Sequence, residues 1–171
     1  LDFKKLMMTR FLFTFAVQMQ AVIVGWQVYE LMRDPLYLGL VGLSEAVPAI
    51  GLALFAGYLV DRSRPVRIYR SVICISFISS LVVLASEIYA HKLVISNQVL
   101  SLYCASFLTG MARAFSQPSI FAIVPRIIAR ENLARSSAVM SMTMQVARIA
   151  GPAFGGVIFA WLGMQTASYF V

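Results

Sequence analysis

Apolar residues in this chain come in long runs, without the alternating or three-to-four spacing of elements that keep one face in water. Five runs stand out, over residues 11–30, 36–60, 71–89, 99–123 and 136–162. They reach about the twenty residues that a helix needs to cross a bilayer. The pattern therefore predicts five membrane spans, with Gly163 turning the chain into the start of a sixth. Short polar stretches separate them: Arg33-Asp34-Pro35, where proline discourages helix, then residues 57–70, 91–98 and 125–135. No soluble domain or low-complexity linker interrupts, so residues 1–171 are expected to form one all-α, polytopic transmembrane bundle.

The small residues add detail. Span 2 carries Gly39, Gly42, Ala46, Ala49, Ala53 and Gly57, a face that another helix can approach closely. Ala147, Gly151 and Gly155 recur every four residues in span 5, where Pro152 removes a backbone hydrogen bond and can kink the helix. Span 3 has serines but no charge before Glu87 and is expected to be a lipid-facing scaffold.

Composition supports the membrane reading. The 171 residues are 60% hydrophobic and 12% charged, more apolar surface than a soluble domain of this length can hide. The formal charge of +7 would suggest nucleic acid in a soluble protein, but basic residues also gather in cytoplasmic loops, and no nucleic-acid partner is expected. Lys4, Lys5, Arg10, Arg62, Arg64, Arg67, Arg70, Arg126, Arg130 and Arg135 fall on one predicted side, against Arg33 and Lys92 on the other. The N-terminus and the 57–70 loop are therefore expected to be cytoplasmic. The basic lead imitates a signal peptide, but the apolar run after it is too long and continues into further spans. Starting at Leu1 and ending inside an apolar run, the sequence reads as a piece of a longer protein. Cys74 and Cys104 fall near the starts of antiparallel spans, too far apart for a disulfide.

Within residues 57–70, Asp61 lies four residues after Gly57 and so shares its helix face. A carboxylate at the end of a helix is poorly matched to the local dipole and needs cations nearby, which the following arginines supply. The plain alternative is an ordinary basic loop. This stretch resembles the loop between helices 2 and 3 of the major facilitator superfamily, with Gly57, Asp61 and Arg62 matching and Arg67 in the role of the later basic residue. Arg64 and Pro65 depart from that pattern. Arg148, Gly151, Pro152, Gly155 and Gly156 resemble the span-5 motif of the exporters and drug/proton antiporters of the superfamily, the alternative being a packing face with a kink. Residues 109–134 also resemble the connection between spans 4 and 5 in its siderophore- and drug-exporting branch.

The resemblance implies the N-terminal bundle of a secondary transporter in a bacterial inner membrane, with a second six-helix bundle elsewhere in the chain. The lipid bilayer, a small-molecule substrate such as a drug or siderophore, and a coupling ion, protons, are the implied partners. Nested inverted repeats would pair span 2 with span 5, and both carry Gly and Pro. The Gly151–Gly155 face would slide against the other bundle. Rival readings are uptake or lipid flipping by a facilitator, and a membrane scaffold that transports nothing.

Charges at membrane depth are functional candidates because each costs about 2.5–3.5 kcal/mol unless paired or hydrated. Glu45, Arg113 and Arg148 qualify. Either Glu45 pairs with an arginine to lock helices together, or Arg113 faces a central cavity, attracting an anion or tuning a proton-carrying Glu45. The resemblance favours Arg113 over Arg148 for the cavity. Gln20 and Gln27, seven residues apart, share a face and are expected to line it. A single His, and no Cys-x-x-Cys, phosphate loop or Gly-x-Ser-x-Gly, suggest neither enzyme chemistry, a metal nor a cofactor.

Overall fold

The computed structural model describes residues 3–89, 94–128 and 130–169, with side chains except at 130, 134 and 158–169. The predicted loop at 91–98 therefore lies partly outside the described residues, as do His91 and Lys92. Among the described residues there are six helices: α1 Phe3–Met32, α2 Pro35–Gly51, α3 Ala53–Arg62, α4 Pro65–Ile88, α5 Ile95–Ile127 and α6 Leu133–Tyr169. A 3-10 turn, Arg130–Asn132, precedes α6. Among the described residues α1, α4 and α5 are each long and apolar enough to cross a membrane, and α2 with α3 passes as one broken span.

Local chemistry sets the ends. After α1, Arg33 takes a left-handed backbone (φ 51°), and the Asp34 carboxylate then accepts the Leu36 N–H at 2.9 Å as the cap of α2. Pro35 thus opens a helix, because the first helical residue has no use for its N–H. Pro65 opens α4 in the same way, leaving only Ser63 and Arg64 between α3 and α4. The charged interruption is accordingly shorter than its sequence suggests, with Asp61 and Arg62 in α3 and Arg67 and Arg70 in α4. Span 2 bends by 44° at Leu52, beyond Pro48 and Gly51. No turn occurs at Gly163, where the sequence suggested one: α6 is helical through to Tyr169.

Two apolar cores mark the two ends of the bundle. Met19, Ile23, Val28, Val41, Val83 and Leu102 join the end of α1 to the starts of α2 and α5 and the end of α4. Leu6, Tyr69, Ile120, Ile123 and Met140 join the starts of α1, α4 and α6 to the end of α5. The helices therefore run alternately up and down, and the basic stretches collect at the second end. α1 packs mainly on α6, while α5 is shared between α4 and α2. Outside, Leu54, Ile50, Ile149, Phe121 and Phe77 are exposed, while Gln20, Gln27, Ser79 and Glu87 are buried. Apolar outside and polar inside is the arrangement that lipid favours.

The α4 serines do not face lipid alone. Ser79 is fully buried and donates to the Ala105 carbonyl of α5 at 2.8 Å, with Thr109 at 2.9 Å. In place of the expected lipid-facing scaffold, α4 buries a hydroxyl seam against α5, because hydrogen bonds between helices are favoured where water is absent.

Candidate functional site

The close approach of α2 to α5 begins at Gly110. A Cβ there would overlap the Glu45 carbonyl and Pro48, so only glycine lets the bent span lie this near. One turn further along α5, Arg113 Nη1 meets Glu45 Oε1 at 2.5 Å, and Nη2 donates to Gln18 Oε1 of α1 at 2.5 Å. Three helices thus meet through one carboxylate, one guanidinium and one amide. The Arg113 side chain is 39% exposed and that of Glu45 18%, so the pair is half-open. An arginine at this depth is stabilised by such a partner.

Two adjoining cavities lie between α1, α5 and α6. One, of about 270 Å³, is lined by Gln18 and Arg113; the other, of about 370 Å³, by Ser137, Ser141 and Gln145. Arg10, Gln117, Met144 and Arg148 border both. Arg10 is buried and donates to Gln117 Oε1 at 2.9 Å and toward Met140 Sδ at 2.8 Å. Arg148 was expected to lie beside the pathway, yet it shares this cleft with Arg113, because α6 packs directly on α1.

Gln20 and Gln27 do not line the cleft. Gln20 is 3% exposed, donates to Ser79 Oγ at 2.8 Å and accepts from Ser80 at 3.0 Å. Gln27 is 1% exposed and donates to Glu87 at 3.0 Å. Gln27 turns toward α4, while Gln20 bonds to α4 and also lines a separate cavity of about 230 Å³ with Glu45 and Thr109. On α1 it is Gln18 that faces the cleft, about 200° around the helix from Gln20.

The span-5 glycines are also placed differently from expectation. A Cβ on Gly151 would come within 2.8 Å of Gln18 Cβ and the Phe15 carbonyl, and one on Gly155 within 3.2 Å of Met19. They seat α6 against α1 of the same bundle. Gly156 meets nothing within 4 Å and is the motif glycine on the free face. Pro152 lies inside an uninterrupted α6. At the basic end Gly57 has open space, Asp61 and Arg67 are exposed, and Arg62 stacks over the Tyr58 ring at 4.8 Å. Among the described residues Asp61 makes no ion pair.

Arg10, Gln18 and Gln117 escaped the sequence reading. Gln117 had a signal, lying four residues after Arg113 and hence on its face. Arg10 counted as part of the basic lead, and Gln18 was indistinguishable from its glutamine neighbours. Among the described residues no group of three or more His, Cys, Asp or Glu is placed to hold a metal, and Cys74 and Cys104 are free.

The family model described as transmembrane secretion effector matches residues 2–171. The Staphyloferrin A transporter of Staphylococcus aureus (strain NCTC 8325 / PS 47) is 27% identical over 137 residues, 80% of this chain and 34% of that protein. The Enterobactin exporter EntS of Citrobacter koseri (strain ATCC BAA-895 / CDC 4225-83 / SGSC4696) is 22% identical over 170 residues, 95% of this chain and 38% of that protein. The chain spans about a third of the length of these relatives. No solved structure matches it.

Proposed function

Because the chain belongs to the transmembrane secretion effector family of the major facilitator superfamily, we propose that the complete protein is a proton-coupled exporter of a small molecule such as a siderophore or drug. The names of the two relatives support a siderophore, and one of them is an exporter. In this reading the chain supplies one bundle, and the rest of the polypeptide supplies the second, opposite the cleft. The end bearing Asp61 is the cytoplasmic one, and the bacterial inner membrane is the site of action.

The observation that carries the reading is the half-open contact among Glu45, Arg113 and Gln18 beside a cleft. In this reading the Glu45 carboxylate carries the proton by exchanging its partner. Charged, it is held by Arg113; protonated, it releases Arg113 to other partners. That exchange can link proton movement to the position of α2 against α5, since Glu45 also rests its backbone on Gly110. Asp61, exposed in the last turn of α3, is assigned to the cytoplasmic gate, where a carboxylate can change partners as the bundles rock.

Everted membrane vesicles containing the complete protein test this. Energised vesicles should accumulate a siderophore or drug from a screening panel, about tenfold above vesicles carrying Glu45→Gln. Asp61→Asn should insert normally and lose most of the accumulation. Accumulation only in right-side-out vesicles would make the protein an importer and overturn the proposal.

A further inference from the structure

The two cavities beside the Glu45 pair hold more positive charge than their walls balance. Arg10, Arg113 and Arg148 line them, and no Asp or Glu does among the described residues. Glu45 answers Arg113 from the α2 side. Arg10 reaches only neutral acceptors, a glutamine oxygen and a thioether. Arg148 is exposed and makes no hydrogen bond or ion pair among the described residues. The other polar groups there are neutral: Gln117, Ser137, Ser141 and Gln145. A cleft of one sign with apolar walls concentrates ions of the opposite sign.

We propose that Arg10 and Arg148, with Gln117 between the two cavities, form a binding site for the oxyanion groups of a small solute carrying two or more negative charges. The inference rests on reading the cleft as part of the substrate path, and it narrows the substrate from drug or siderophore to polyanion. An organic cation would need carboxylates or an aromatic cage, and the lining offers no carboxylate. The planar guanidinium fork suits carboxylate-type groups, and two arginines on separate helices set the spacing of two such groups. Cavities of about 370 and 270 Å³ sharing four residues leave room for a small polyanion. Arg113, already satisfied by Glu45, is left for proton coupling, which explains why one of three arginines has an acid and two do not.

The test uses the complete protein in nanodiscs, with other cysteines removed and a fluorophore on Ser141→Cys at the cavity wall. Propane-1,2,3-tricarboxylate should change the fluorescence saturably and more weakly at high salt, whereas glycerol and tetraethylammonium should not. Arg148→Gln should raise the apparent dissociation constant about tenfold, and Arg148→Lys by less. A tetraethylammonium response as large as the tricarboxylate response, no tricarboxylate response, or the same affinity in Arg148→Gln as in wild type would each overturn the site. So would a signal that follows the phosphatidylglycerol content of the disc and ignores the tricarboxylate, since the arginines would then hold lipid headgroups. Comparing solutes on the labelled protein needs no arginine variant, so it stands even if Arg148→Gln fails to assemble. The titration involves no transport: failure of the vesicle assay overturns export, and failure of the titration overturns the anion site.

Discussion

The contact between Glu45 and Arg113 can be weighed by a double-mutant cycle. With one partner removed, the other is left charged at membrane depth; with both removed, no such charge remains. Glu45→Gln and Arg113→Gln should each lower thermal stability more than the double variant, with a coupling energy of about 1–3 kcal/mol, the partial exposure of the pair holding it toward the lower value. Additive effects would mean that the contact adds nothing. The pair was legible because charges in apolar runs are conspicuous, although the partner arginine was left open. Gln18 was not legible. Along a buried helix every side is apolar or neutral, so periodicity cannot tell the side facing α4 from the side facing the cleft, and it does not separate Gln18 from Gln20 and Gln27.

At the scale of elements, glycines decide which helices touch. Gly151 admits the α1 backbone, and Gly156 lies on the free side of α6. Leucine at the first position would force two packed helices apart, an overpacking that costs about 1–3 kcal/mol or more. At the second it meets open space. Gly151→Leu should therefore lose the monodisperse peak in fluorescence-detected size-exclusion chromatography, while Gly156→Leu keeps it. If the free face meets the second bundle, Gly156→Leu should instead reduce transport. Equal behaviour of the two variants would contradict this placement of α6. The spacing of the motif announced close packing but not its partner, because a small-residue stripe specifies how near a helix comes and not which helix comes. Element boundaries shift for a related reason: Pro35 discourages helix in sequence, yet it opens α2, and Pro65 opens α4 within the expected loop.

For the molecule as a whole, the sequence revealed most about architecture and charge sidedness, because the bilayer permits few alternatives to helices of fixed length. Single cysteines at Arg64 and Lys92 in a cysteine-free complete protein test the orientation: an impermeant thiol reagent outside the cell should label position 92 and not 64. The break in span 2 is less visible, since Pro48 and Gly51 permit a bend without fixing its angle. Proton coupling through Glu45 is the central mechanistic proposal. Its most direct test is proton movement in proteoliposomes with a pH dye inside, upon addition of the substrate that the vesicles accumulate. Wild-type protein should move protons opposite to the substrate, and Glu45→Gln should exchange substrate across the membrane with proton movement at least about tenfold lower. Equal proton movement in both, at equal substrate flux, would contradict a coupling role for Glu45.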